Sequence, residues 1–416
     1  MIEKLMKNKK YLWFILIPVV VAILIFTPGK SEPQFPNFAE IELPNKVLTQ
    51  EDYLEDFEVF YSTLEKYYPF FEVNKELHQY DWLANKDHYL QQVKMVTTSQ
   101  QFRTIIEKAL ADLNHPQNSL LDESVGYQVY VDYRNDLDKK DWRYQMVEIF
   151  HKPATIKRYE ISNSLIQYYL ESRQEPKPQL PDQSLEVKDL KEAKLAYIKL
   201  PQMFDYQQIQ THSNILKPFL AEIKDYPVLV LDLRGNRGGD VRFWQEWFLP
   251  KLLAETQRHL VYNYMVHGPL TEQALIQGEY QPFKDDNNNR YLSKFDYRLQ
   301  KDIAVFPSAD SIKFQGKIYV VIDKAVTEEA ELMSIFMKST KTATLIGEKT
   351  AGSGITSEPL LFDLPNSGYV ISIAKSLGTN EIGEINALVK TTPDIEVNLE
   401  KEDVLETIIK QEGLAK

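Results

Sequence analysis

The sequence predicts an α/β fold with a largely parallel sheet, preceded by a mainly helical segment. Three observations carry this prediction. The predicted strand Val228–Leu233 begins with the apolar run Val228–Leu231, which is typical of a strand buried on both faces. From Leu195 onward, short apolar runs alternate with helical patterns, as in a parallel sheet covered by helices. Between Thr49 and Leu113, by contrast, apolar residues recur at helical spacing.

The first 30 residues predict a membrane anchor. Tyr11–Thr27 carries no charge and is long enough to cross the hydrocarbon core. The lysines before it, Lys4, Lys7, Lys9 and Lys10, mark the cytoplasmic side. We therefore expect a single-pass signal anchor in the cell membrane over residues 1–30, with the rest of the chain extracytoplasmic. A cleaved signal peptide is the alternative, although no small-x-small cleavage site follows Thr27.

Two segments separate the anchor from the α/β region. Residues 31–48 are rich in proline and predict an extended tether. Residues 49–185 predict a mainly helical subdomain, whose first helix begins at Thr49 with a capping box and ends before Pro69. A second helix ends at Asn114–His115–Pro116, and its apolar face is formed by Phe102, Ile105, Ile106, Ala109, Leu110 and Leu113. The proline-rich stretch Ser172–Asp182 predicts a linker.

Residues 190–400 predict the α/β core, and residues 401–416 predict a C-terminal helix. A long insertion lies between Asp240 and Phe314, and its Asp285–Asn289 stretch predicts a surface loop. The predicted core elements are, in order, strand Leu195–Leu200, helix Tyr206–Ile223, strand Val228–Leu233, strand Lys317–Asp323, helix Thr327–Ser339, strand Ala343–Gly347 and strand Tyr369–Ala374.

The composition excludes several classes of function. The chain has 416 residues, a net charge of -12 and a pI near 5.3, which disfavours nucleic acid or an anionic lipid surface as the main partner. It contains no cysteine, so disulfides, thiolate metal sites and cysteine nucleophiles are excluded. The histidines show no metal-ligand spacing, and we expect neither a metal nor a cofactor.

The glycine turn after Val228–Leu233 is the first candidate site. Gly238 and Gly239 expose consecutive backbone N–H groups, which can stabilise a developing oxyanion. The alternative is a tight strand-to-helix turn without chemistry.

Four further residues flank this turn. Asp232 and Arg234 are expected to form an internal ion pair that fixes the turn. Trp244 and Trp247 follow the turn at helical spacing. They form the floor of a peptide cleft in one interpretation and pack in the core in the other.

Five segments, in this order, resemble the C-terminal-processing (tail-specific) serine peptidase family, in the branch that lacks an inserted PDZ domain. They are Leu113–His115, Ala196–Leu200 with Phe204, Leu231–Gly239, Asp323–Glu331 continuing to Ile346–Gly352, and Thr392–Val397. Any one segment is weak evidence, whereas five in the family's order are specific. The resemblance covers Thr49 to Val397 and implies a crotonase-like core, a spiral of ββα units.

The resemblance also implies positions in a catalytic site. Gly238 and Gly239 match the family's oxyanion hole. Glu331 matches a glutamate that follows the nucleophilic serine by three residues, so the serine position falls on Glu328. The position of the lysine used in one arrangement of the family is Ser353.

The other catalytic positions are only partly retained. The histidine position is His115, although Asn114 replaces the glycine that precedes it in relatives. His115 is either a general base left from an active ancestor or a surface or capping residue at a helix end. The acidic position falls on Ala387, and Glu384 is close enough for a shifted loop to supply the carboxylate.

Glu328 has several interpretations. A carboxylate is a poor nucleophile towards an amide, because its attack gives a mixed anhydride. With a pKa raised by burial, Glu328 would act as a general base on water. A shifted register would make Thr327 the nucleophile, but Glu331 fixes the alignment. The preferred interpretation is that Glu328 and Glu329 are first-turn acids that stabilise a helix N-terminus.

The sequence therefore predicts a pseudopeptidase that binds or scaffolds polypeptides, because Glu328 replaces the serine nucleophile. The alternative is an active serine-type endopeptidase that processes exported proteins. Crotonase-type chemistry on an acyl thioester is disfavoured by the external location and by the lack of a nucleotide-binding signal. The expected partners are a polypeptide and, through the N-terminal helix, the cell membrane.

Overall fold

The computed structural model describes residues 35–172, 185–285 and 289–414. None of the helices within these ranges is long and apolar enough to cross a membrane. The predicted signal anchor at residues 1–30 lies outside the described residues, as do nearly all of the predicted linker and the middle of the predicted Asp285–Asn289 loop.

The N-terminal helices pack around an aromatic core. Helix α1 begins as predicted, because Thr49 caps it and the Asp52 carboxylate accepts a hydrogen bond from the Thr49 N–H at 2.8 Å. The second predicted helix is also confirmed and is α4. The eight helices of this region are α1 (Gln50–Tyr67), α2 (Phe71–His78), α3 (Lys86–Val93), α4 (Ser99–Ala111), α5 (Glu123–Asp136), α6 (Trp142–Met146), α7 (Pro153–Tyr159) and α8 (Asn163–Ser172).

The described part of the predicted tether packs against these helices. Phe38 lies in a short 3₁₀ turn, Phe38–Glu40, and is buried. Its ring contacts that of Tyr130 in α5, with 6.2 Å between centroids. The aromatic side chains of Phe35 and Phe38 thus fix a stretch whose proline content alone predicted an extended tether.

The central sheet has six strands, and its pairing confirms the predicted parallel architecture. The strand order is β13-β9-β8-β4-β3-β2. The edge strand β2 is antiparallel to β3, and the other neighbouring strands are parallel. The strands are β2 (Glu186–Leu190), β3 (Leu195–Lys199), β4 (Val228–Asp232), β8 (Lys317–Ile322), β9 (Thr344–Gly347) and β13 (Ile395–Glu396).

Helices cover this sheet on both faces. Helix α9 (Tyr206–Glu222) connects β3 to β4, and α12 (Glu328–Ser339) connects β8 to β9. Strand β4 is completely buried, as its apolar run predicted. The C-terminal helix α14 (Val404–Glu412) packs with Val404 and Ile408 against the opposite face.

Three strands of the long insertion and the later strand β12 form a second sheet, which the sequence pattern did not reveal. Its strands pair antiparallel in the order β12-β5-β7-β6. The strands are β5 (Gln257–Met265), β6 (Gln281–Pro282), β7 (Tyr297–Val305) and β12 (Leu377–Asn380). The insertion also contains a π-helix (Phe243–Phe248), α10 (Leu249–Leu252) and α11 (Glu272–Gln277).

A third sheet joins the N-terminal helices to the core. Strand β1 (Ser119–Leu120) follows α4 and pairs antiparallel with β11 (Val370–Ile373), which also pairs with β10 (Leu360–Asp363). Side chains of α1 and α4 and of β10 and β11 share one hydrophobic core. The short helix α13 (Asn386–Val389) packs against this core.

Candidate functional site

The parallel neighbours β4 and β8 bring the glycine turn to the start of α12. Both strands end at the same edge of the sheet, and the Leu233 N–H donates to the Val321 carbonyl at 3.0 Å. Beyond this bond, the Thr327 N–H donates to the Asn236 carbonyl at 3.2 Å. The two loops are therefore joined by backbone hydrogen bonds, which fixes Glu328 opposite the turn.

Glu328 is the first residue of α12 and has a left-handed backbone. Its φ is +50°, whereas the preceding Thr327 is extended and makes no side-chain cap. A left-handed conformation is costly for a residue with a Cβ and persists where the surrounding structure requires it. The side chain of Glu328 is thereby held at the head of the helix, at the predicted nucleophile position.

The amides of the glycine turn are already engaged. The Gly238 N–H donates to the Asn236 Oδ1 at 2.9 Å, and the buried Asn236 side chain donates to the Leu200 carbonyl at 2.9 Å. The Gly239 N–H donates to the Glu329 Oε2 at 3.0 Å. Gly238 and Gly239 were expected to offer free amides to an oxyanion. Here an internal amide and a carboxylate take those two hydrogen bonds.

Two carboxylates lie over Gly238. A Cβ added at Gly238 would be 2.5 Å from the Glu329 Oε2 and 3.2 Å from the Glu328 Oε2. Burial, followed by the charges of Glu329 and Glu358, raises the pKa of Glu328 to about 7. Burial also raises the pKa of Glu329, while its hydrogen bond from Gly239 acts in the opposite direction. Part of the Glu328 population is therefore protonated at neutral pH.

Glu331 of α12 accepts hydrogen bonds from the loops that surround Glu328 and Glu329. Its side chain is completely buried. Its carboxylate accepts five hydrogen bonds, from Thr350 Oγ1 at 2.5 Å, Gly352 N at 2.9 Å, Ser353 N at 2.8 Å, Thr391 Oγ1 at 2.9 Å and Asn386 Nδ2 at 3.1 Å. A buried carboxylate is stable when its lone pairs are filled in this way. Glu331 thus holds the loop after β9 against α12.

Ser353 lies next to the head of α12 as a result. Its N–H is one of the donors to Glu331, and its Oγ accepts a hydrogen bond from the Glu328 N–H at 3.4 Å. The residue is 7% exposed. A serine hydroxyl therefore adjoins the backbone of Glu328, although the sequence assigned Ser353 to a lysine position.

His115 occupies a separate cavity beside this loop. The preceding residue, Asn114, has a φ of +51°. Glycine and asparagine adopt this left-handed conformation more readily than other residues, which explains why either is found at that position. The His115 ring lies 4.5 Å from the Phe70 ring, between centroids, and its Nδ1 accepts from the Gln117 N–H at 3.3 Å. Burial lowers the pKa of His115 to about 4, so the imidazole is neutral at pH 7. His115 and Ser353 both line this cavity of about 350 Å³.

A larger cleft of about 570 Å³ opens in front of α12. It is lined by Glu328 and Glu329 from α12 and by Glu358 from the loop before β10. Lys301 of β7 supplies a positive charge in its wall. The sequence did not identify Glu358 or Lys301, because neither lies in a motif and only the fold brings them to α12. The sequence identified Glu329 only as a first-turn acid beside Glu328, and its hydrogen bond with the Gly239 amide was not predicted.

Trp244 and Trp247 do not form the floor of this cleft. Trp244 is completely buried, and its ring lies 5.5 Å from that of Phe336 of α12, between centroids. Trp247 stacks on Phe243 inside the π-helix, with 5.9 Å between centroids. Trp244 therefore packs in the core, the half-buried Trp247 packs against that core, and neither residue lines the cleft.

Two other predictions concern charged side chains. Asp232 and Arg234 form the expected ion pair, with 2.6 Å between Oδ2 and Nη2, and the Tyr197 hydroxyl also donates to Asp232. Glu384, the acidic candidate, accepts from Asn380 Nδ2 at 2.8 Å in the turn after β12. This hydrogen bond holds the Glu384 carboxylate within its own turn, so no described contact joins it to His115. Over the described ranges, no group of three or more His, Asp or Glu residues is arranged to hold a metal.

Comparison with known proteins identifies similar folds. The model of peptidase family S41 matches residues 194–397. A candidate peptidase from Parabacteroides merdae is similar with a TM-score of 0.55 at 16% identity, covering 88% of this chain and 96% of that chain. Mature CPAF is similar with a TM-score of 0.53 at 11% identity, covering 83% and 92%. No curated protein matches this sequence significantly. At these identities, the structural likeness concerns the fold.

Proposed function

This chain belongs to peptidase family S41, the tail-specific serine peptidases, and we propose that it binds polypeptides in its cleft without cutting them. The single observation that carries this proposal is the pair of carboxylates at the head of α12. Glu328 stands where a hydroxyl nucleophile is required, and Glu329 accepts the Gly239 N–H at 3.0 Å. A substrate carbonyl would have to displace Glu329 to reach that amide.

Electrostatics oppose acyl transfer at this position. A tetrahedral intermediate places negative charge where the glycine amides can stabilise it. Here the Glu329 carboxylate already lies there, and Glu328 is beside it. Two neighbouring acids would repel an oxyanion rather than stabilise it. The cleft itself remains open, and its volume of about 570 Å³ is suited to a few residues of an extended chain.

We place this activity at the outer face of the cell membrane. The proposal rests on the lysines before Tyr11–Thr27 and on the uncharged length of that segment. Fractionation of cells, followed by protease treatment of intact cells, tests it. Recovery of an untruncated chain from the cytoplasmic fraction would contradict the anchor.

Binding is tested by fluorescence anisotropy of a labelled, unstructured casein with the full chain. We expect binding without fragmentation of the casein. Ser119 lines the cleft and is exposed, so Ser119→Trp fills the cleft and should weaken binding about tenfold. Asn214→Trp, at an exposed position of α9, is the matched control. Equal binding by both variants would exclude the cleft as the polypeptide site.

One observation favours a second candidate, an active serine-type endopeptidase. The Ser353 hydroxyl adjoins the Glu328 N–H, and Ser353 lines the same cavity as His115. A fluorophosphonate probe separates the two candidates, because it labels activated serines. We expect no labelling of the wild-type chain. Labelling that disappears in Ser353→Ala, together with cleavage of casein, would replace the binding proposal by this one.

A further inference from the structure

Strand β7 of the second sheet has a free edge beside the cleft. It pairs with β5 along all nine of its residues, Tyr297–Val305. On its other side it pairs with β6, and only at Tyr297 and Arg298. In the part of the chain that the structure describes, no further strand continues this side of β7. An exposed strand edge presents unpaired backbone groups that can pair with another chain.

The hydrogen bonds of the sheet determine which backbone groups point to this edge. On the β6 side, the Phe283 N–H donates to the Asp296 carbonyl at 2.7 Å. In an antiparallel ladder, alternate residues turn their N–H and C=O groups to the same side, so Gln300 and Asp302 turn theirs to the β6 side as well. The position of Pro282 agrees with this alternation. It has no N–H to donate, and it lies opposite a residue that turns towards β5.

The open part of the edge is short. The pairing with β6 ends at Arg298, and the Gln245 side chain of the π-helix donates to the Ala304 carbonyl at 3.5 Å. Between these limits, the N–H groups of Gln300 and Asp302 have no acceptor among the described residues. Both residues are exposed. At about 3.3 Å per residue, the open stretch accepts about five residues of an extended chain.

The cleft in front of α12 reaches this edge. Leu299 and Lys301, the neighbours of Gln300 in β7, line the cleft, and so does Tyr280 just before β6. Since side chains alternate along a strand, the Gln300 side chain points to the opposite face of the sheet, and only its backbone borders the cleft. An extended polypeptide in the cleft is therefore within reach of the free backbone groups of β7.

We infer that the polypeptide binds as an added strand on β7, in line with β6. This binding mode rests on the function proposed above and specifies how the cleft holds its ligand. Main-chain hydrogen bonds do not depend on side chains, so the ligand class is an extended segment with free peptide N–H and C=O groups. A second copy of the chain is a poorer partner, because charges such as those of Arg298, Lys301 and Asp302 protect an edge from pairing with copies.

A proline at position 300 tests the pairing, with the full chain and the labelled casein. Gln300→Pro removes an N–H that points away from β5, so the ladder between β5 and β7 is kept. Gln300→Ala retains this N–H and is the matched reference. We expect Gln300→Pro to bind casein about tenfold more weakly than Gln300→Ala. Circular dichroism of both variants excludes misfolding as the cause of a loss.

Hydrogen–deuterium exchange of the wild type, resolved for single residues, gives a readout that needs no variant. The amides of Gln300 and Asp302 should exchange about tenfold more slowly when casein is bound, because they then donate to the added strand. The Lys301 amide is the internal control. It points towards β5 and should be protected with and without casein.

The remaining outcomes separate this binding mode from the proposed function. Equal casein binding by Gln300→Pro and Gln300→Ala, or unchanged exchange at Gln300, would overturn the strand addition. Weaker binding by Ser119→Trp would then still support the cleft as the polypeptide site. No binding of casein by the wild type would overturn both. A dimer that becomes a monomer in Gln300→Pro would assign the edge to a second copy and overturn the strand addition.

Discussion

Three features of Glu328 each raise the free energy of the folded chain. Its φ is +50°, its carboxylate is partly buried next to Glu329, and burial raises its pKa to about 7. A first-turn acid that only stabilises a helix N-terminus, as the sequence analysis preferred, would need neither a left-handed backbone nor a buried carboxylate. Strain and charge retained together in a cleft are typical of functional positions.

The raised pKa of Glu328 gives a prediction for stability against pH. As pH rises from the ordinary carboxyl pKa of 4.5 to about 7, the unfolded chain releases a proton that the folded chain retains. The free energy of unfolding therefore falls across this window. Glu328→Gln removes the effect. After allowance for solvent screening, we expect the variant to be about 1–2 kcal/mol more stable than the wild type at about pH 8.

Urea denaturation of both proteins at several pH values measures this difference. Below about pH 4 the two should be equally stable, because the carboxyl group is then protonated in both states. A gain that is independent of pH would mean that Glu328 acts through backbone strain rather than charge. Ser62→Ala, on an exposed face of α1, is the control, and its stability relative to the wild type should not change with pH.

At the scale of single elements, helix starts follow local chemistry. Thr49 and Asp52 exchange two hydrogen bonds across the first turn of α1, whereas Thr98 accepts one from Gln101 at the start of α4. Both caps use short-range contacts that sequence spacing predicts. The π-helix at Phe243–Phe248 has no side-chain cap, and its residues Phe243, Trp244 and Phe248 are buried.

We predict that loss of the α1 cap is the more damaging of the two. Thr49→Ala should cost about 1–1.5 kcal/mol and Thr98→Ala about 0.5–1 kcal/mol of unfolding free energy. Thr49→Ser retains the hydroxyl and should cost less than about 0.5 kcal/mol. Chemical denaturation at neutral pH gives the three values. A Thr49→Ala protein as stable as the wild type would show that α1 is held by its buried face alone.

At the scale of the whole molecule, the helical segment and the α/β region are not independent. Strand β1 pairs with β11, and Phe102 of α4 and Tyr369 beside β11 lie in the same hydrophobic core. The Tyr159 hydroxyl reinforces the junction, donating to the Leu121 carbonyl at 2.9 Å and accepting from the Val370 N–H at 3.1 Å. The sequence suggested two units with a linker between them; the shared core couples them.

This coupling predicts one cooperative unfolding transition. Phe102 is completely buried, so Phe102→Ala should lower the stability of the entire chain by about 3–5 kcal/mol. Far-ultraviolet circular dichroism and tryptophan fluorescence should give coincident melting curves in the wild type and in the variant. Two separated transitions, with only the first shifted by Phe102→Ala, would show that the helical segment unfolds by itself.

The sequence by itself determined the elements with local signals. These are the capped helix at Thr49, the buried strand Val228–Leu233, the largely parallel character of the core sheet and the acid at position 328. Each follows from spacing or from a short motif, because periodicity reports which face of an element is buried.

Only the tertiary structure decided how these elements meet. It placed Glu329 on the Gly239 amide, 90 positions away in the chain, and joined Glu331 to Asn386 and Thr391. It also buried Trp244 and placed Glu358 and Lys301 in the cleft in front of α12. Such contacts depend on how whole surfaces pack. The residues next to a position in the chain do not specify which residues contact it in the folded structure.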